Sequence, residues 1–238
     1  MNKKALFFLY HYNDIDHITP VIHKWASSSK TFEIEIIFWD QNKKYLEDYR
    51  ILFLINNMNV TIHHIDEFFS SEELKSIKQI ASLSQHKYGR VFRMLLKSIL
   101  FLKRAFKIAY ILPRREIIQS DAFAERLISV VFGETKKGVV VFDWTAAATN
   151  KIAFFRALMH AAHKNFFLCV SLPHGDSPYA NKLFRTEDIN YISWSRFANA
   201  PFDHVVVPNE LTAKRYLPAL NKKRVHILGS PRYNQEWR

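Results

Sequence analysis

The chain has 238 residues, 48% hydrophobic and 15% aromatic, so it can bury a substantial core and is not a disordered tail. Against 22 acidic residues stand 34 basic ones, and the formal net charge of +12 points to anionic partners: nucleic acid, an anionic membrane face or phosphate-bearing small molecules. The single cysteine, Cys169, excludes a disulfide framework and a cysteine-based zinc finger, and a reducing, cytoplasmic setting fits it.

Ala5 to Tyr10 is a near-continuous apolar run, the pattern of a strand covered on both faces. After a polar turn, Ile18 to Ser28 reads as a helix with Pro20 in its first turn. Phe32 to Trp39 is strand-like, Lys43 to Asn56 carries helical spacing, and Val60 to Ile65 is again a strand. From Ser71 to about Phe132 only helical periodicity is found, broken near Pro113. Alternation then resumes: strand Val139 to Phe142, helix Thr149 to Asn165, strand Phe166 to Leu172, strand Phe202 to Val207, short helix Glu210 to Leu217, and strand Arg224 to Leu228. Strands alternating with crossover helices predict an α/β fold, a Rossmann-like doubly wound parallel sheet. Residues 1–70 and 133–238 are its two parts, and 71–132 are a helical insertion.

Only five glycines occur, where average usage of about 7% would give roughly seventeen. They form neither a dinucleotide fingerprint nor a Walker loop, both of which need glycines clustered in a full motif for backbone to approach phosphate: Gly133 and Gly138 are followed by Val139-Val140 and not by Lys-Ser/Thr. An ordinary NAD domain and a P-loop ATPase are therefore not expected. The apolar run at the start lasts too few residues before His11, Asn13 and Asp14 for a signal peptide. Met94 to Leu112, the most lipid-like segment, carries Lys97, Lys103, Arg104 and Lys107, too many charges for a spanning helix.

Ligands of open parallel sheets bind outside the carboxyl ends of the strands. Four predicted strand ends carry polar clusters: His11–Asp14, Asp143-Trp144-Thr145, Pro173–Pro178, and Gly229–Arg232. In the third, Pro173-His174-Gly175-Asp176-Ser177-Pro178 follows a buried strand, and two prolines and a glycine stiffen the turn that holds His174. An imidazole there titrates near neutral pH and suits proton transfer. In the fourth, Gly229-Ser230-Pro231-Arg232 makes a tight turn whose arginine can meet a phosphate bidentately.

This pair of turns resembles the two-Rossmann-domain (GT-B) transferases of bacterial surface polysaccharides. The CDP-glycerol glycerophosphotransferases and the related surface-carbohydrate glycosyltransferases are the nearest in motif. The resemblance implies an N-terminal, acceptor-binding half of a transferase, with His174 at the position of the base and Gly229, Pro231 and Arg232 at the second turn. The family's turn reads His-Gly-Thr-Pro, one residue shorter than His174–Pro178, and the sequence ends at Arg238, before a nucleotide-binding second domain.

The expected partners are a nucleotide-activated sugar or CDP-glycerol donor and a saccharide or lipid-linked acceptor, with no nucleic acid. In this reading His174 is catalytic, and Asp143 or Asp176 orients its imidazole. His11, Asp14, Trp144, Gly175, Ser177, Gly229, Ser230 and Arg232 contribute to substrate binding. No cofactor and no metal is required, because basic side chains and helix N-termini can stabilise a leaving diphosphate. The competing readings are a non-catalytic scaffold of this fold and a nucleic-acid-binding basic module, although no helix-turn-helix, zinc or RNA-recognition signature occurs.

From Arg90 to Leu112, Arg93, Lys97, Lys103, Arg104 and Lys107 fall within an arc of roughly 140° at helical spacing, opposite an apolar arc. Such a helix reads first as a solvated face packed on the sheet, as every amphipathic helix does, and otherwise as a peripheral place on the inner face of an anionic membrane. Asp14-Ile15-Asp16 comes too early in the chain for a metal-nucleotide Asp-x-Asp. His160 and His163 lack a flanking carboxylate within a turn and read as solvated helix histidines; adjacent His63 and His64 face opposite ways; Cys169 reads as inert core.

Overall fold

The first apolar run becomes a strand because both of its faces are used. In the computed structural model, β1 (Lys3–Leu9) sends Leu6 and Phe8 into one buried cluster and Ala5, Phe7 and Leu9 into another. Fully burying one such large apolar side chain contributes about 1.5–3 kcal/mol. The structure describes residues 3–9, 15–28, 31–39, 43–77, 112–143, 153–172, 202–210, 213–214 and 221–231.

Along the chain follow α1 (Ile15–Ser28), β2 (Phe32–Phe38), α2 (Tyr49–Asn57), β3 (Val60–His64), α3 (71–77), α4 (Leu112–Phe132), β4 (Lys137–Asp143), α5 (Ala153–Lys164), β5 (Leu168–Leu172), β6 (His204–Val207) and β7 (Val225–Ile227). The strands form one seven-stranded sheet in the order β3-β2-β1-β4-β5-β6-β7. Every neighbouring pair is parallel. This is the expected Rossmann-like doubly wound α/β sheet. One face is covered by α1 and α2 through Ile15, Ile18, Ile22, Ile51 and Leu54. The other is covered by α3, α4 and α5 through Leu74, Ile77, Leu127, Phe154 and Leu158.

Several boundaries differ from the sequence reading, each for a local reason. Helix α1 begins at Ile15, so Pro20 lies inside it and not in its first turn. The predicted helix from Lys43 divides into a 3₁₀ turn, Lys43–Glu47, and α2, because the Asp48 carboxylate accepts the Arg50 N–H and caps a new start. The same carboxylate meets the Arg50 guanidinium at 2.8 and 2.6 Å, and Arg50 also pairs with Asp16 of α1. Phe166 is not in β5. It follows the end of α5 with φ 60° and is 92% exposed. The Phe166 N–H donates to the His163 carbonyl and the Phe167 N–H to the Ala162 carbonyl, the bond pair of a Schellman motif.

Gly138 in β4 faces Phe132, the last residue of α4, and Phe167, just before β5. A Cβ there would clash with the Phe132 ring and stand 2.9 Å from the Phe167 ring, and these rings stack on each other at 4.3 Å. Near the same end, the Lys4 ammonium donates to the Val131 carbonyl at 2.6 Å and pairs with Glu35, tying the last turn of α4 to β1 and β2.

Candidate active site at the carboxyl edge

The direction in which the chain builds its sheet reverses once. It runs outward from β1 to β2 and β3, then crosses back to β4 and continues to β5, β6 and β7. Between β1 and β4 lies the topological switch point, where crossovers leave to opposite sides and open a crevice beyond the carboxyl ends. The strands there end nearly level: Phe8 is the register partner of Phe142, and Asp143 that of Leu172. Neighbouring strands lie about 4.8 Å apart, so the exits of β1, β4 and β5 open within roughly 10 Å of one another.

Those exits lead into three of the four polar clusters. His11 and Asp14 follow Leu9; Trp144 follows Asp143, the last residue of β4; and His174, Gly175, Asp176 and Ser177 follow Leu172. His11, Asp14, Trp144, His174, Gly175, Asp176, Ser177 and Arg232 lie outside the described residues, as does the basic segment 90–111. The fourth cluster is described up to Pro231 and leaves β7. There the Leu228 N–H donates to the Val207 carbonyl at 3.1 Å, and Gly229 then turns with φ 82°. Nothing lies within 4 Å of where its Cβ would be, so glycine serves the backbone angle and not a close contact.

Ser171 was not singled out by sequence. It is fully buried one residue inside the carboxyl edge of β5, and its hydroxyl makes no hydrogen bond among the described residues. Asp16 pairs with Arg50, which occupies one member of the early Asp-x-Asp. His63 and His64 take different partners, as their alternation predicts: His63 meets Glu67 at 3.0 Å and Glu35 at 3.4 Å, while His64 pairs with Asp66 and stacks on Tyr45. Among the described residues, no helix is long and apolar enough to cross a membrane.

A second polar cluster sits at the opposite, amino-terminal edge. His163 closes α5, Cys169 lies near the start of β5, and Asp203 immediately precedes β6. The Asp203 carboxylate accepts the Cys169 backbone N–H at 2.7 Å and meets the His163 Nε2 at 2.9 Å. Cys169 is buried core, as expected, and its Sγ lies 3.8 Å from the Met159 carbonyl. Burial, with the Asp203 charge, pushes the Cys169 thiol well above its ordinary value. For Asp203, burial acts upward, but the hydrogen bonds from the Cys169 N–H and His163 outweigh it and hold the carboxyl below its usual range.

The sheet and helices define a Rossmann-like α/β domain. No protein-family model matches the chain, and no curated protein matches its sequence. Among solved structures, it is similar to UDP-GlcNAc 2-epimerase from Neisseria meningitidis bound to UDP-GlcNAc, at 10% identity and TM-score 0.47, covering 96% of this chain and 47% of that one. It is also similar to S. aureus MnaA with UDP, at 14% identity and TM-score 0.48, covering 97% of this chain and 46% of that one. A third is TcCGT1 in complex with UDP, at 10% identity and TM-score 0.44, covering 97% and 51% respectively. The chain spans about half the length of these structures. At such identities and TM-scores the likeness assigns neither a ligand nor a reaction to this chain.

Proposed function

We propose that this chain is the acceptor-binding half of a nucleotide-activated transferase of bacterial surface polysaccharide synthesis, working with a second Rossmann-like domain that holds the donor. The observation that carries the reading is the level ending of β1, β4 and β5 at the switch point, since the segments bearing His11 and Asp14, Asp143 and Trp144, and His174 to Pro178 leave the sheet there. Ligands of doubly wound sheets bind in that crevice.

In this reaction an acceptor hydroxyl attacks the activated centre of the donor. With a nucleotide sugar, the new bond is from acceptor oxygen to the anomeric carbon, and a nucleoside diphosphate leaves. With CDP-glycerol, the new bond is to the glycerol-side phosphorus, and CMP leaves. Either way the hydroxyl proton goes to the His174 imidazole, whose ordinary pKa of about 6.5 suits a base at neutral pH. Asp143 or Asp176 orients that ring, while Trp144 stacks on the acceptor. Arg232, at the turn made by Gly229, Ser230 and Pro231, compensates phosphate charge.

The test is a thermal-shift series on the protein together with its donor-binding half, using CDP- and UDP-activated compounds. A ligand that binds only the native state raises the melting temperature in a concentration-dependent way. Such a rise with one donor class supports the reading, and no rise across the panel overturns it.

A further inference from the structure

We propose that His163, Cys169 and Asp203 form a site for one divalent transition-metal ion of the zinc class, at the edge of the sheet opposite the proposed active site. One ligand atom from each residue lies within 4.8 Å of the other two. Three elements contribute: the end of α5, the start of β5 and the approach to β6. Zinc bonds of about 2.0–2.3 Å place tetrahedral ligand atoms roughly 3.4–3.7 Å apart. His163 and Asp203 already approach to 2.9 Å, so an ion would separate them slightly and draw the sulfur inward.

The donor set selects the ion. A thiolate, an imidazole and a carboxylate suit zinc or cobalt, whereas magnesium and calcium take oxygen ligands. Three protein ligands leave a fourth position for water. Support for the ligands is already in place. The Cys169 N–H holds one Asp203 oxygen, and the Asp203 N–H donates to the Cys169 carbonyl at 2.9 Å, which fixes the two residues against each other.

Solvent reaches two of the three ligands, since the His163 and Asp203 side chains are each about one-third exposed, while Cys169 is buried. A surface groove of about 480 Å³ is lined by His163 together with His160, Asp121, Glu125 and Lys164. The two carboxylates come from α4, so the chain fold supplies the acidic groups that the sequence around His160 lacks. Lys164 pairs with Glu125 and leaves Asp121 beside the histidines. Uptake is balanced by one proton: the ion replaces the hydrogen on Cys169 Sγ, the proton passes to solvent, and His163 binds as neutral imidazole.

Cobalt(II) titration of the metal-free full chain tests this directly. Cys169 is the single cysteine, so a near-ultraviolet thiolate-to-cobalt charge-transfer band reports this site alone. The expected result is a band saturating at one equivalent, bleached by zinc, and weakened roughly tenfold or more in cobalt affinity in His163→Ala and Asp203→Ala. His163 and Asp203 are partly exposed, so these variants keep the fold even if Cys169→Ser does not. Absence of the band in the folded wild-type chain overturns the proposal. So does a band unchanged in both variants, and so does cobalt binding without charge transfer, which would place the ion on other histidines.

Discussion

Asp143 at the end of β4 is the register partner of Leu172 at the end of β5, so the residue proposed to orient the base and the segment carrying the base leave the sheet side by side. A carboxylate beside an imidazole favours the protonated ring and raises its pKa. Asp143→Asn should therefore lower turnover by roughly 10- to 10³-fold and move the acid limb of the pH–rate profile to lower pH. Loss of rate with an unmoved limb would make Asp143 a structural residue and pass the orienting role to Asp176.

Phe166 carries the left-handed backbone angle that closes α5, with its ring 92% exposed. An L side chain in that region costs about 1–2 kcal/mol, and glycine gives back part of the gain through its freer unfolded chain. Phe166→Gly should stabilise the domain by about 1 kcal/mol, read as a raised urea midpoint with an unchanged slope. A lowered midpoint would mean that the exposed ring is packed in the native protein.

Glu73 joins α3 to α4. Its carboxylate accepts from Arg126 at 2.9 Å and from the Ser70 N–H at 2.8 Å, and Arg126 lies 4.9 Å over the Phe69 ring. The Arg126 hydrogen bond, then that of Ser70, hold the carboxyl below its ordinary value of 4.5. Because the folded pKa is depressed, its stabilisation is present above the unfolded value and is lost as pH falls through the folded one. Glu73→Gln should therefore lower the melting temperature at neutral pH and flatten its decline below about pH 4.5. An acid-range slope identical to wild type would exclude a contribution from this pair.

The sheet was legible because parallel strands buried on both faces leave unbroken apolar runs, as in Leu6-Phe7-Phe8-Leu9 and Val139-Val140-Val141-Phe142. Its ends were less so. Asp48 interrupts a helical pattern without breaking its spacing, and Phe166 looks like strand because it adjoins an apolar run while serving as a helix terminus. The amino-edge cluster left no local signal. His163 and Asp203 are 40 residues apart, and only the crossover from α5 through β5 to β6 brings them together. Of the carboxyl-edge clusters, only the exit of β7 is described, as far as Pro231; there the glycine of Gly229-Ser230-Pro231 marked the turn, because Gly229 takes φ 82°.

We propose a transfer site at the carboxyl edge beside the switch point, with His174 as its base. The decisive measurement is steady-state turnover of His174→Ala, made together with the proposed donor-binding domain. The prediction is a fall of roughly 10²- to 10⁴-fold with acceptor affinity little changed and folding retained, because the lost interaction belongs to the transition state. Full turnover in a well-folded His174→Ala protein would contradict it, and the search for a base would pass to Asp143, Asp176 and Asp14.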